Sequence, residues 1–163
     1  MNPKNFIILA AFSLLSAACN HYPPPQSPPI DYSARSAYDQ LLIVNDHFID
    51  VELAITQEAW RQGLSGRTSL GPEQGMLFDM RSIAPTRPGF WMKDMKFPLD
   101  LIWIRNNKIV DITRDVSVPL TADTQLPQYH PSADIDMVLE VNAGWSAAHQ
   151  TKIGDPVTLV SPM

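Results

Sequence analysis

The sequence predicts a mainly β (α+β) domain, a single compact rolled sheet or small barrel with two short helices. Several segments alternate apolar and polar residues, as half-buried strands do, and turn-forming residues separate them. Helical segments do not alternate regularly with the strands, which argues against a doubly wound parallel sheet. Residues 41–163 are enough for one ordinary domain.

The first predicted element is a β-hairpin. Leu41–Val44 and Ile49–Ile55 flank the turn-forming pair Asn45-Asp46. In the second segment Ile49, Val51, Leu53 and Ile55 occupy alternate positions, which predicts one buried and one wet face.

A short helix is predicted next, over residues 57–62. Thr56 has the side chain of an N-cap, and Gly63 is suited to end the helix. Residues 76–78 and 90–95 are predicted as strands, and the prolines and glycine between them indicate a loop.

A second hairpin is predicted beyond residue 99. Residues 101–104 are apolar, residues 109–112 are apolar except for Asp111, and the two segments enclose the polar run 105–108. The segment 120–133 is rich in Pro, Thr, Gln, Ser and Asp and is predicted as a long irregular loop, followed by an alternating strand at 135–141.

The predicted domain ends with a second helix and a last strand. Asn142 is predicted to cap a helix that continues to about Thr151. Gly154 and Asp155 then turn the chain into a strand at 157–160.

Residues 1–18 have the composition of a secretory signal peptide. Lys4 precedes the apolar segment 6–15, which is too short to span a bilayer as a mature helix. Small residues follow, and Cys19 directly after them predicts cleavage and lipidation, with Ser16 where bacterial lipoboxes usually have Leu. The alternative is a soluble secreted protein whose cleavage site lies near a cysteine.

Residues 19–40 are predicted to form a lipid-anchored, Pro-rich tether. Pro23–Pro25 and Pro28–Pro29 favour an extended spacer rather than core packing. Cys19 is the only cysteine, so an intramolecular disulfide is excluded. We therefore expect an exported envelope lipoprotein whose partner is the bilayer, on the periplasmic face of the outer membrane in a host that has one.

Composition and motifs exclude several functions. The chain has 17 acidic and 12 basic residues and no basic run, which makes nucleic acid an unsuitable partner. The four histidines are scattered and there is no cysteine pair, so we predict no metal and no cofactor. Nucleophile-elbow and phosphate-loop motifs are absent from the sequence.

Dense groups of glycine, aromatic, methionine and charged residues occur along the predicted domain. They are Arg61-x-Gly63-Leu64, Arg67, Gly75-Met76-Leu77-Phe78, Phe90-Trp91-Met92-Lys93, Pro98-Leu99-Asp100, Glu140-Val141-Asn142-Ala143-Gly144 and Gly154-Asp155. In these groups the chain resembles domain of unknown function 192 (DUF192), a bacterial and archaeal family, over about residues 41–160. The resemblance implies a β-rich fold and common export, but no accepted reaction. It also implies Asn-Thr after Lys93, where this chain has Asp94-Met95.

Asp100 and Glu140 are charged residues within otherwise apolar predicted strands. Burial of an unpaired carboxylate is costly, so each should have a specific partner or a raised pKa. Arg61, Arg67 and Lys93 are the available cations. We expect Asp100 to pair with a cation of the 61–67 segment or with Lys93.

Three interpretations of these residues are open. The first is a non-catalytic binding module for a small polar or saccharide ligand, or for a partner protein. Its cleft would be formed by Arg61, Arg67, Trp91, Lys93, Asp100 and Glu140. The second is a salt-bridge network with a purely structural role. The third is a hydrolase or lyase in which Asp100 and Glu140 are the acid–base pair, with Lys93 or Arg67 stabilising an anion. We favour the binding module.

The other tryptophans and the methionines are predicted to fill the core. The tryptophans are Trp60, Trp103 and Trp145, and the methionines are Met76, Met80, Met92 and Met95.

Overall fold

The computed structural model describes residues 40–120 and 126–160 of the chain. In order, the elements are β1 (Gln40–Val44), β2 (His47–Ala54), α1 (Gln57–Gln62), β3 (Gln74–Asp79), β4 (Leu99–Arg105), β5 (Lys108–Val116), β6 (Met137–Asn142), α2 (Trp145–Ala148) and β7 (Val157–Val160). The mainly β class with two short helices is confirmed. The predicted signal peptide, Cys19 and almost all of the tether lie outside the described residues, as do residues 121–125 of the predicted loop.

All seven strands belong to one sheet, in the order β5-β4-β6-β3-β2-β1-β7. Only β2 and β3 pair in parallel, and the other neighbours are antiparallel. A parallel pair needs a crossover connection, which here contains α1 and residues 63–73. This crossover carries α1 over one face of the sheet.

The sheet curls so that its two outer strands approach each other. Lys108 at the start of β5 forms a bridge with Pro156, just before β7. The backbone N–H of Ile109 donates to the carbonyl of Asp155 at 3.0 Å, and that of Val157 donates to Asn107 at 2.8 Å. The result is a half-barrel whose outer edges are joined at one end.

Apolar side chains form a cluster on each face of the sheet. Leu101, Trp103 and Val138 belong to the cluster that also contains residues of the 90–95 segment. Their strand neighbours Ile102 and Leu139 belong to the second cluster. Alternate residues of a strand point to opposite faces, so the central strands are buried on both sides.

The two predicted hairpins and the first helix are confirmed. In the β4–β5 turn, Asn106 and Asn107 have φ of 49° and 59°, the left-handed backbone of a type I′ hairpin. Helix α1 begins after Thr56, whose hydroxyl accepts from the N–H of Ala59 at 3.2 Å. Within the described residues, no helix has the length and apolar character needed to cross a membrane.

The prediction of a strand at 90–95 is wrong. Phe90 alone pairs, through reciprocal backbone hydrogen bonds with Tyr129 of 2.9 and 2.7 Å. Beyond it the chain turns, and Asp94 has a φ of 56° that ends any extended structure. The segment packs Phe90, Met92 and Met95 into the core, and the two-residue spacing of Phe90 and Met92 resembles strand alternation in the sequence.

The prediction that Asn142 caps the second helix is also wrong. Asn142 is the last residue of β6, and its side-chain amide donates to the carbonyls of Leu70 and Gly71 at 3.1 and 2.9 Å. Helix α2 has only four residues and begins after Gly144, whose φ is 83°. Asn142 therefore fastens the crossover to the sheet.

Candidate functional site

A cavity of about 440 Å³ lies between α1 and the 88–95 segment. This volume is within the roughly 300–1,000 Å³ of small-molecule sites. Its apolar walls are Trp60, Leu64, Phe78, Met80, Pro88, Phe90, Trp91 and Met95. Its polar groups are Gln57, Arg61, Gln62, Ser65, Gln128 and Glu140.

The wall on the helix side is fixed by local backbone structure. The indole N–H of Trp60 donates to the carbonyl of Ala54 at 2.7 Å, which attaches α1 to the end of β2. Gly63 ends the helix with a φ of 48°. A Cβ on Gly63 would approach the Phe78 ring to 3.3 Å and Glu140 Oε2 to 3.9 Å. Glycine therefore leaves the space beside Glu140 open.

The opposite wall is held by packing and by hydrogen bonds to the helix side. The Phe90 ring makes edge contacts with Phe78 and Trp103, at centroid distances of 4.9 and 5.4 Å. The Ser65 hydroxyl donates to the carbonyl of Lys93 at 2.7 Å, and the Gly66 N–H donates to that of Asp94 at 2.9 Å. The two walls are thus connected directly.

Glu140 is the buried acid of this cavity. It lies on β6 between Met76 of β3 and Leu101 of β4, and only 6% of its surface is exposed. Its Oε2 atom has no hydrogen-bond partner among the described residues. Burial raises the pKa of Glu140 to about 8, so the carboxyl is mostly protonated at neutral pH.

The prediction that a cation pairs with Asp100 is wrong. Its Oδ1 accepts from the backbone N–H groups of Asp115 (2.9 Å) and Gly144 (3.3 Å). Its Oδ2 accepts from the Ser146 N–H (3.0 Å) and hydroxyl (2.6 Å). Arg114 donates to the Ser146 hydroxyl at 3.1 Å and to the carbonyl of Thr151 at 2.9 Å, and not to Asp100. Asp100 therefore accepts hydrogen bonds from β5 and from the start of α2, which is a structural role.

Asp100 and Glu140 do not share a cleft. Asp100 is opposite Val141 in the β4–β6 register, and Glu140 is opposite Leu101. Val141 and Leu101 belong to clusters on opposite faces of the sheet. The geometry therefore does not provide the acid–base pair of the hydrolase or lyase interpretation.

Arg67 and Lys93 also lie outside the cavity lining. Arg67 donates to Glu52 of β2 through its two terminal guanidinium nitrogens, at 2.5 and 2.6 Å, and so anchors the crossover. Lys93 pairs with the adjacent Asp94 at 2.6 Å, and both side chains are largely exposed. The cavity thus brings together Arg61, Trp91 and Glu140 of the six predicted binding residues.

Sequence reasoning missed several lining residues. Trp60 packs against the core as predicted, but it also forms a cavity wall. Gln128 comes from the irregular loop, where no pattern marks it. The core prediction is confirmed for the remaining tryptophans and for the methionines, all of which are buried: Trp103, Trp145, Met76, Met80, Met92 and Met95.

The fold and cavity define a small half-barrel domain with a pocket that contains one buried acid and four aromatic residues. The sequence profile of DUF192, described as an uncharacterized ACR, matches residues 41–159, and the chain belongs to this family.

Solved structures that are similar to this chain include proteins from two organisms. A protein of unknown function from Novosphingobium aromaticivorans is 29% identical to this chain, with a TM-score of 0.64. The match covers 72% of this chain and 83% of that protein's chain. A candidate transcription regulator from Sinorhizobium meliloti is 25% identical to this chain, with a TM-score of 0.63. The match covers 76% of this chain and 95% of that protein's chain. A search of curated proteins found no match.

Proposed function

We propose that this protein is a membrane-tethered envelope lipoprotein whose domain is a non-catalytic module that binds a small polar ligand in the cavity beside α1. The observation that carries the proposal is Glu140, a buried carboxyl at the wall of a cavity large enough for a small molecule, whose Oε2 has no hydrogen-bond partner within residues 40–120 and 126–160.

An unpartnered buried polar atom is costly, by about 1–3 kcal/mol. Buried polar atoms usually have partners, and exceptions with a perturbed pKa are concentrated at functional sites. Around Glu140 the cavity adds aromatic surface from Trp60 and Trp91 and amide groups from Gln57 and Gln128. Apolar walls with a few polar groups are typical of small-molecule sites.

The lining favours binding over catalysis. Glu140 and Arg61 are the only ionisable side chains among the lining residues. Glycoside hydrolysis with two carboxyl groups needs a second acid across the cleft, and Asp100 is on the other face of the sheet. A ligand can therefore be held here, but the cavity offers no acid–base pair.

The proposed anchoring rests on the sequence before residue 40. The apolar segment 6–15, the small residues before Cys19 and the Pro-rich spacer support a lipidated, exported chain. The regulator role given to the Sinorhizobium meliloti protein is not transferred to this chain, because the formal net charge of −5 does not favour DNA binding.

Binding can be tested with purified protein and a panel of small amines, amino acids and monosaccharides. Tryptophan fluorescence and thermal shift would report occupancy, because Trp60 and Trp91 line the cavity. Trp91→Ala should abolish binding with little change in melting temperature, since 45% of that side chain is exposed.

Phe48→Ala is the matched control, because Phe48 is 48% exposed and lies outside the cavity lining. It should bind like the wild type. The binding proposal would fail if no compound of the panel binds, or if the Trp91 and Phe48 variants bind equally well.

A further inference from the structure

We infer that the ligand of this cavity carries an organic ammonium group and that Glu140 is the counter-ion of that group. The inference rests on the proposed function and goes beyond it by naming the chemical class of the ligand.

The geometry beside Glu140 combines an unpartnered carboxyl oxygen with aromatic rings. Oε2 of Glu140 and the Phe78 ring flank the same space next to Gly63. Phe90 packs edge-on against Phe78, and Trp60 and Trp91 complete the aromatic lining. Aromatic faces attract ammonium groups by cation–π interaction, and a carboxylate completes such a site.

The surroundings of Glu140 explain why a cation is favoured over an anion. From β3 it is faced by Met76 and Phe78, and from β4 by Leu101, all of which are apolar. The helix and the 88–95 segment contribute one further ionisable group to the lining, Arg61, whose exposed side chain is screened by water. A ligand cation would therefore supply the charged partner that the described protein groups do not provide.

Proton linkage gives this inference a specific signature. Burial raises the pKa of Glu140 to about 8, so binding of a cation at neutral pH must favour loss of the proton. Affinity for a permanently charged ammonium ion should then rise by close to tenfold per pH unit below about pH 8 and level off above it.

The test is calorimetric titration with ammonium ions from methylammonium to choline, at pH 6, 7, 8 and 9. Choline has a neutral isostere, 3,3-dimethylbutan-1-ol, which fills the same space without the charge. We expect at least one ammonium ion to bind, with roughly 50-fold higher affinity at pH 8 than at pH 6. We expect the neutral isostere to bind at least tenfold more weakly than choline at pH 8 if choline is bound.

Glu140→Gln retains the shape but cannot ionise. At pH 8 this variant should lose at least tenfold in ammonium affinity, and its affinity should not depend on pH, while its circular dichroism spectrum and cooperative unfolding show that it is folded. Proton release, measured in buffers of different ionisation enthalpy, should accompany binding to the wild type and be absent in the variant.

The outcomes separate the inference from the proposed function. If neutral saccharides bind in a Trp91-dependent manner and ammonium ions do not, the ammonium inference is overturned and the binding module stands. The inference is also overturned if Glu140→Gln binds ammonium ions as tightly as the wild type. If neither ammonium ions nor saccharides nor amino acids bind, both fail.

Discussion

Replacement of Glu140 by glutamine should stabilise the domain at neutral pH and leave its stability at low pH nearly unchanged. Glutamine has the size of the carboxylic acid and resembles its protonated form, so packing against Phe78 and Leu101 is retained. The difference in the free energy of unfolding between the two proteins then reports the ionisation of one buried group.

The sign follows from the raised pKa, which is about 8 in the folded domain against an ordinary value of 4.5. Below about pH 4.5 both folded and unfolded Glu140 hold the proton, and the wild type gains no pH dependence from it. Between about pH 4.5 and pH 8 the unfolded chain releases the proton and the folded domain keeps it. The free energy of unfolding of the wild type therefore falls by up to roughly 1.4 kcal/mol per pH unit in this range. Above about pH 8 the dependence ends.

Urea unfolding of both proteins at pH 5, 6, 7 and 7.5 measures this difference. The free energy of unfolding of Glu140→Gln minus that of the wild type should increase by about 3 kcal/mol from pH 5 to pH 7.5. The contributions of the other titrating groups are the same in both proteins and cancel in the subtraction. A difference that stays constant with pH would show that Glu140 is solvated, and the reasoning about a buried unpartnered acid would be refuted.

Three further predictions concern the structural carboxylate, the tryptophans and the anchor. Asp100→Ala should cost about 3 kcal/mol or more because it leaves three N–H groups without their acceptor, whereas Ser146→Ala should cost about 1 kcal/mol; equal costs in urea unfolding would contradict the assignment. Trp103→Ala should cost about 3–5 kcal/mol and Trp91→Ala less than about 0.5 kcal/mol in thermal unfolding, and the reverse order would place Trp91 in the core. Cys19→Ala should release the protein from membranes in fractionation with labelled palmitate, and an unlabelled, fully soluble wild type would exclude lipidation.

Local patterns were sufficient to predict most strands. The alternation of β2 and the Asn-Asn turn between β4 and β5 are consequences of neighbouring residues alone, so they can be read from the sequence. The segment 90–95 could not be predicted in this way. Phe90 and Met92 have the spacing of a strand, but only Phe90 pairs, in an isolated bridge with Tyr129, and both residues are buried by packing in the core.

The candidate site shows the same limit. Alternation along each strand predicts that Asp100 shares a face with Ile102 and that Glu140 shares a face with Val138. Only the register of β4 against β6 shows that these two faces are on opposite sides of the sheet. The prediction that Asp100 pairs with a cation considers side-chain partners only, because these are the partners that a sequence identifies. Its actual partners are mostly backbone N–H groups, which every residue except proline carries, and they leave no mark in the sequence.

The position of β1 has a consequence for how the domain is made. β1 is paired on one side with β2, which follows it directly, and on the other with β7, so that Leu41 lies opposite Val160. During synthesis the first of these contacts can form early, but the second must wait for nearly the whole domain. Until then the backbone groups on the outer side of β1 are available to other chains, and pairing over such long sequence separations is intrinsically slow. Folding of this domain should therefore be completed late, by closure of its first strand against its last.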